Sequence, residues 1–111
     1  MTDESREGIP PVVAEAIDAA NAHDTERFID TFAPTGSVDD WGRVFTGREA
    51  IRGWSDGEFI GSAVTLDDLQ FSAVPDGVAV TALVGGDGFN GPSTFTFLVG
   101  SAGIERMTIT A

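Results

Sequence analysis

The second half of the chain, from Ser62 onward, has the character of consecutive β-strands, and this constrains the fold more than any other feature. Four stretches there are rich in Val, Thr, Phe and Ile, and clusters of Gly, Pro, Asn and Asp separate them. Such alternation of β-formers and turn residues is typical of strands joined by hairpins. The pattern predicts strands at residues 64–74, 78–84, 93–99 and 104–110.

The first half has helical periodicity instead. Apolar residues recur there at spacings of three and four, which places them on one face of a helix. Helices are expected at roughly residues 10–22, 24–33 and 47–56, and a short strand is expected at 37–40. Three helices before a run of strands predict an α+β domain with a mainly antiparallel sheet of four to six strands.

The predicted helices carry recognisable start signals. Pro10 and Pro11 suit a first turn, because the N–H group that proline lacks would have no partner there. Asp24 is expected to cap the second helix. Thr46 and Glu49 match a capping box, in which each side chain satisfies a free backbone N–H of the third helix.

Length and composition indicate one globular domain. The 111 residues are 41% hydrophobic and include eight Phe and two Trp, enough for a hydrophobic core. We expect a flexible leader at residues 1–9 and a single domain at 10–111. The chain has no cysteine and therefore no disulfide framework or Cys-based metal site. Its polar, acidic start lacks the pattern of a secretory signal, so a cytoplasmic location is expected.

The charge excludes several classes of partner. Eighteen acids face six bases, all of them Arg, and the formal net charge is −12. Such a surface repels a phosphate backbone, so nucleic-acid binding is not expected. Anionic membrane surfaces are disfavoured for the same reason, and no apolar run approaches the roughly 20 residues that span a bilayer.

Residues 36–54 carry the most specific pattern in the chain. A short β-branched run ends in the adjacent carboxylates Asp39 and Asp40, turns at Trp41-Gly42, and leads into an amphipathic helix. Together with residues 24–34, this stretch resembles the nuclear-transport-factor-2-like superfamily, which includes ketosteroid isomerases and SnoaL-like polyketide cyclases. The resemblance covers roughly residues 12–109. It implies a cone-shaped α+β domain, with three N-terminal helices packed on a strongly curved, mainly antiparallel sheet and a pocket at the open end.

Asp40 is the candidate catalytic residue. In the isomerase branch of the superfamily the general base is an Asp at the end of the first strand, and the resemblance places Asp40 there. Strand alternation puts Asp39 and Asp40 on opposite faces, so only one should face the pocket. An apolar cavity would raise the pKa of Asp40 by desolvation and favour proton transfer. The alternative is that Asp40 caps a turn or pairs with Arg43.

The chain departs from the isomerase pattern in its oxyanion donors. That branch uses a tyrosine on the first helix and a protonated Asp on a late strand. This chain has no tyrosine, and residues 93–99 contain no acid. The resemblance places Ala16 near the expected tyrosine position. Without donors to stabilise a dienolate, steroid isomerisation loses its largest electrostatic contribution, so this activity is not expected.

The pocket should be walled mainly by aromatic side chains, although the same residues also suit a packed core. Arg43 either forms surface salt bridges or binds an anionic or carbonyl-bearing ligand near Asp40. The expected pocket residues are Phe28, Phe32, Trp41, Arg43, Phe45, Trp54, Phe71 and Phe97.

No cofactor or metal site is expected. His23, the only histidine, lies between the first two helices, where a surface or helix-end role is more common than catalysis. One histidine with scattered acids provides no ligand spacing for a metal.

Two functions remain open. One is a domain that binds a small hydrophobic, carbonyl-type ligand in its pocket. The other is a cofactor-free isomerase, cyclase or dehydratase with Asp40 as general base. A homodimer is expected in either case, because relatives commonly pair through the outer sheet face. The late strands also offer apolar or small residues on both faces, Val78, Val80 and Ala82 against Ala79 and Leu83.

Overall fold

The structure, a computed structural model, describes residues 9–110. The expected leader lies outside the described residues except for Ile9, which packs partly buried against the core. The described helices are α1 (Pro11–Asn21), α2 (Thr25–Asp30) and α3 (Arg48–Glu58), with a 3₁₀ turn at Ile60–Ser62. The strands are β1 (Phe32–Asp40), β2 (Arg43–Thr46), β3 (Thr65–Val74), β4 (Gly77–Gly85), β5 (Gly91–Gly100) and β6 (Gly103–Thr110).

All six strands belong to one sheet with the order β2-β1-β6-β5-β4-β3. Every neighbouring pair is antiparallel except β1 with β6, which is parallel. Strands β3 to β6 follow one another through short turns, and such hairpins produce antiparallel neighbours. Strands β1 and β6 share no hairpin, since the rest of the domain separates them along the chain. The prediction of an α+β domain with a mainly antiparallel sheet is confirmed.

The second helix is shorter than predicted. It ends at Asp30, and β1 begins at Phe32 within the expected helix. Tertiary hydrogen bonds explain the change. Ile104 N–H donates to the carbonyl of Thr31 (2.9 Å), and the guanidinium of Arg48 donates to that of Phe32 (2.6 and 3.1 Å). Pro34 is tolerated in β1 because it lies where the register with β6 shifts.

The predicted capping box at Thr46 is wrong. Thr46 is the last residue of β2, a strand that the sequence did not predict, and it pairs with Ser37 of β1. The N-cap of α3 is Gly47, whose φ of 90° favours glycine and which makes no side-chain capping hydrogen bond. Gly47 N–H donates instead to the carbonyl of Gly36 (2.8 Å). Pairing of the β1–β2 hairpin therefore outweighs the local capping signal.

The other two helix starts are confirmed. Helix α1 begins at Pro11 after Pro10. Helix α2 is capped by Asp24, whose Oδ1 accepts a hydrogen bond from the backbone N–H of Arg27 (3.2 Å). Helix α3 runs to Glu58, two residues beyond its predicted end.

One hydrophobic core joins the helices to the sheet. Ile17 of α1, Phe28 of α2 and Ile51 of α3 are buried together with Val38 and Met107 of the neighbouring strands β1 and β6. Burying side chains of this size contributes about 1.5–3 kcal/mol each. None of the helices within residues 9–110 is long and apolar enough to cross a membrane.

The junction between α1 and α2 is joined to the edge strand β3. The side chain of Asn21 makes two hydrogen bonds to the backbone of Leu66: Nδ2 donates to the carbonyl (3.1 Å), and Oδ1 accepts from the N–H (2.7 Å). His23 Nε2 lies 2.8 Å from the carbonyl oxygen of Val64, the residue just before β3. When Nε2 carries the proton, it donates a hydrogen bond to this carbonyl. This contact gives His23 a structural role in fixing the helical junction to the sheet.

Candidate functional site

The β1–β2 turn presents its two carboxylates to opposite sides of the sheet. Asp39 Oδ1 accepts the N–H of Gly42 (2.8 Å) and so closes the turn. On the outer side its Oδ2 lies 3.7 Å from Arg106. Trp41, at the tip, adopts a φ of 54°, which is uncommon for a residue other than glycine. Asp40 lies in one row with Ile109 and Phe95 across β1, β6 and β5, on the buried face.

Two side chains hold the Asp40 carboxylate. Its Oδ2 accepts a hydrogen bond from Trp54 Nε1 (3.0 Å) and from Arg43 Nη2 (2.6 Å). The Asp40 side chain is only 16% exposed. The two hydrogen bonds fix the orientation of the carboxylate. Of the alternatives drawn from the sequence, pairing with Arg43 is therefore present, and Asp39 rather than Asp40 caps the turn.

Arg43 links the hairpin to the end of α3. Its two Nη atoms donate to the two oxygens of Glu58 (3.1 and 2.6 Å) while Nη2 also reaches Asp40. The hydrogen bonds that Arg43 donates to Glu58 and then to Asp40 raise the pKa of Arg43 above its ordinary value. The hydrogen bond from Arg43 lowers the pKa of Glu58. The Arg43 guanidinium also lies over the ring of Phe45, 5.7 Å from its centroid.

An open cavity of about 90 Å³ lies beside Asp40 and is called the outer chamber here. Its walls are mostly aromatic and aliphatic, and its polar groups are two carboxylates and two hydroxyls. The lining residues are Asp40, Trp41, Trp54, Glu58, Phe59, Ser62, Val64, Val84, Gly85, Gly88, Phe89, Ser93, Phe95 and Ile109. This volume is several times the 10–15 Å³ that one water molecule requires, so the chamber has room for a small organic molecule.

Two exposed aromatic residues stand at the mouth of the outer chamber. Trp41 is 59% exposed and Phe89 is 55% exposed, although both line the cavity. The loop that carries Phe89 is fixed to the 3₁₀ turn, where Asp87 N–H donates to the carbonyl of Ser62 (2.8 Å). Gly86 in this loop has a φ of 131°, and an added Cβ would lie 2.8 Å from the same carbonyl oxygen. The close approach requires glycine.

A second, much smaller cavity of about 10 Å³ lies deeper in the core and is called the inner chamber here. Every lining side chain is apolar. The residues are Ala16, Ile17, Ala20, Phe28, Phe59, Leu66, Val80, Ala82, Phe95, Phe97 and Met107. Ala16, which the resemblance placed near the tyrosine position of the isomerase branch, is one of these residues.

The residues expected from the sequence fall into three groups. Asp40, Trp41 and Trp54 line the outer chamber, and Phe28 and Phe97 line the inner one. The other four line neither chamber. Phe32 is fully buried in the core, and Phe71 is partly buried on β3. Phe45 packs beside Trp54, with 6.3 Å between the ring centroids, and Arg43 contacts the site through its hydrogen bond to Asp40.

The chamber wall also includes Glu58, Phe89 and Ser93, which were not predicted from the sequence. The signal for Ser93 was available, because strand alternation puts it on the same face as Phe95 and Phe97. Ser93 is 3% exposed, and among the described residues its hydroxyl has no hydrogen-bond partner. Phe89 could have been recognised because it is a large apolar residue in a glycine-rich hairpin loop, where an exposed apolar side chain indicates a binding site.

The described residues offer no cluster of three or more His, Asp or Glu side chains that could hold a metal ion. The polar side chains of the outer chamber include the fixed carboxylate of Asp40, the carboxylate of Glu58 and two hydroxyls, among apolar walls. Such a site can bind an apolar molecule, donate a hydrogen bond to its carbonyl oxygen, and receive a proton at the carboxylate.

Comparison with solved structures identifies the fold. A candidate polyketide cyclase from Sinorhizobium meliloti, protein SMa1630, is 27% identical over 92% of this chain and 95% of that one, with a TM-score of 0.79. Rv0760c from Mycobacterium tuberculosis is 19% identical over 91% of each chain with a TM-score of 0.76, and a second structure contains estradiol-17beta-hemisuccinate. An NTF2-like protein of unknown function from Cytophaga hutchinsonii is 10% identical over 95% and 92% of the chains, with a TM-score of 0.78.

The chain therefore has the nuclear-transport-factor-2-like, SnoaL-like fold that residues 24–54 predicted. Comparisons of the sequence with family models and with curated proteins give no match.

Proposed function

We propose that this chain is a SnoaL-like domain that binds a small, largely apolar carbonyl compound in the outer chamber. The observation that carries the proposal is a cavity of about 90 Å³ in which the Ser93 hydroxyl, which has no hydrogen-bond partner among the described residues, shares apolar walls with the fixed carboxylate of Asp40. This hydroxyl is available to donate, and a ligand carbonyl that enters the cavity would accept its hydrogen bond.

Structures of the same fold support this class of ligand. The complex of Rv0760c with a steroid derivative and a designed binder of 17-OHP both use this fold for an apolar molecule with a few polar groups. We further propose that the six-stranded sheet curls into the cone typical of the superfamily. The helices would close its narrow end, and the mouth would lie between Trp41 and Phe89.

Titration with 2-alkanones tests the ligand class. Trp41 and Trp54 both line the outer chamber, so their fluorescence should report binding. Ser93→Ala should weaken binding about 2- to 13-fold, the range expected for one net hydrogen bond. Ser72→Ala, on an exposed position of β3, is the matched control and should leave affinity unchanged. Equal affinities for wild type and Ser93→Ala would contradict the role of the hydroxyl.

A second candidate function is a cofactor-free isomerase, cyclase or dehydratase with Asp40 as general base. The similarity to the candidate polyketide cyclase favours it, as does the presence of Asp40 and Ser93 in one cavity. In this mechanism Asp40 takes a proton from the carbon next to the carbonyl, and the Ser93 hydroxyl stabilises the enolate oxygen. The proton then returns to the same or another carbon. Two donors already occupy Asp40 Oδ2, where the proton would have to bind, so binding without reaction remains our first choice.

Exchange of ketone α-protons for deuterium separates the two candidates. An active base should catalyse this exchange in heavy water for a bound ketone such as cyclohexanone, and Asp40→Asn should abolish it while the protein stays folded. Binding of the ketone without exchange above the buffer rate would leave the ligand-binding function and remove the enzymatic one.

We also propose that two copies associate through the outer face of the sheet. Val78, Val80 and Ala82 are buried on the inner face of β4, whereas Leu83 is 48% exposed on the outer face. Leu98 of β5, on the same outer face, is 37% exposed. A second copy would cover these leucines and the threonine methyl groups between them.

A further inference from the structure

The outer and inner chambers share two wall residues, Phe59 and Phe95. Their ring centroids are 6.2 Å apart and tilted by 52°. Both side chains are at least 95% buried, so they belong to the interior and not to the rim. These two rings therefore separate a cavity of about 90 Å³ from one of about 10 Å³.

The two chambers follow each other along the same strands. On β6, Ile109 lines the outer chamber and Met107 the inner one. The same two-residue step leads from Val84 to Ala82 on β4 and from Ser93 to Phe95 on β5. Residues two apart share a face and lie about 7 Å from each other along a strand. The inner chamber is thus a continuation of the outer one, about 7 Å further into the core.

Phe59 stands at the centre of the aromatic contacts between the chambers. It stacks on Trp54 of the outer chamber at 4.9 Å and packs against Phe28 of the inner chamber at 5.3 Å, measured between ring centroids. Its backbone ends α3 and leads directly into the 3₁₀ turn at Ile60. The residue therefore belongs to a connection between helices, whereas Phe95 is held within the ladder of β5 between two neighbouring strands.

We propose that Phe59 and Phe95 form a partition that sets how deep a ligand enters, with Phe59 as the adjustable part. The inference rests on the proposed binding of carbonyl compounds in the outer chamber. With the partition closed, the site accepts molecules that fit the outer chamber. When the Phe59 ring is removed or displaced, the apolar inner chamber becomes available to the hydrocarbon chain of a longer ligand, whose carbonyl stays beside Ser93.

The dependence of affinity on chain length tests the partition. For 2-alkanones from 2-butanone to 2-undecanone, the affinity of the wild type should rise with chain length and then level off when the outer chamber is full. In Phe59→Ala it should continue to rise by about fourfold for each further methylene that is buried. Phe97→Ala is the matched control: it enlarges the inner chamber but leaves the partition, so its affinity should level off at the wild-type chain length.

Folding of each variant is checked by circular dichroism, and Phe59→Leu, a smaller change, replaces Phe59→Ala if the latter does not fold. A plateau at the same chain length in the Phe59 variants and the wild type would overturn the partition. A wild-type affinity that keeps rising with chain length and never levels off would also overturn the partition.

Failure of every ketone to bind the wild type would instead remove the proposed function. Crystals of Phe59→Leu under xenon pressure then decide the partition independently. Xenon bound between the side chains of Trp54 and Phe28 would support it, and the absence of xenon between them would overturn it.

Discussion

Asp40 illustrates how one residue combines a place in the site with a place in the structure. It lines the outer chamber, yet its Oδ2 is the acceptor for the indole N–H of Trp54 and for the guanidinium of Arg43. If desolvation of the charge in an apolar cavity were the main effect, Asp40→Asn would stabilise the protein or leave its stability unchanged. The two donors reverse that expectation, because removing the charge now also weakens an ion pair.

We predict that Asp40→Ala lowers the free energy of unfolding by about 1–3 kcal/mol, since the buried N–H of Trp54 loses its acceptor. Asp40→Asn keeps an amide oxygen and should cost less. Urea denaturation measures both, with Asp67→Asn at an exposed position of β3 as control. If Asp40→Ala were as stable as wild type, the hydrogen bond to Trp54 would not contribute to folding.

The ion pair between Arg43 and Glu58 predicts a pH effect. The hydrogen bond from Arg43 lowers the pKa of Glu58 in the folded state. A lowered pKa contributes stability that is present above the pKa of the unfolded state and is lost as the pH falls through that of the folded state. Melting temperatures of wild type and Glu58→Gln should therefore differ at pH 7 and converge as the pH falls below about 4. A difference that stays constant down to pH 3 would show that the effect is not ionic.

The candidate site was partly predictable from single residues. Asp40 and Trp54 could be placed because both lie in the stretch that resembles the superfamily. Phe32 and Phe71 could not be separated from the pocket residues, since an aromatic side chain at a buried position suits core and cavity equally. Phe89 was missed because its place depends on how the loop before β5 docks on the 3₁₀ turn, a contact between segments distant in sequence.

At the scale of secondary structure, hairpins and helices with strong periodicity were predicted well, and elements that depend on partners were not. Strands β3 to β6 were all predicted within about two residues, because their turn residues are local signals. Strand β2 and the early start of β1 depend on pairing with each other and with β6, which local sequence does not encode. The capping box failed for the same reason.

The contact between Asn21 and β3 yields a prediction at this scale. Asn21→Ala removes both hydrogen bonds to the backbone of Leu66 on the edge strand and should cost about 1–2 kcal/mol. Hydrogen exchange of the Leu66 amide should become faster than in the wild type. Gln70→Ala, exposed on the same strand, should change neither quantity. Unchanged exchange at Leu66 would mean that the side chain does not protect the edge.

For the whole molecule, the fold was predictable as a class, while its assembly stays a prediction. Analytical ultracentrifugation at micromolar concentration should show a dimer for the wild type. Leu83→Glu should shift the equilibrium towards monomer, because dimerisation would bury the new carboxylate in the proposed interface. The added charge would also increase the repulsion between two chains that each carry a net charge of −12. Ala22→Glu, exposed at the end of α1 and on the helical side of the sheet, is a control for added charge. A wild-type monomer would contradict the proposed association.

The central claim is that a small carbonyl compound binds in the outer chamber beside Asp40. Nuclear magnetic resonance of the ¹⁵N-labelled protein tests it most directly, since the chain contains two tryptophans and both line this chamber. Addition of a 2-alkanone should move the indole N–H signals of Trp54 and Trp41, together with the amide of Ser93. The amides of Thr81 and Ser72 on the opposite face of the sheet should stay in place. Saturable shifts confined to Thr81, Ser72 and their neighbours, with both indole signals unmoved, would contradict the account.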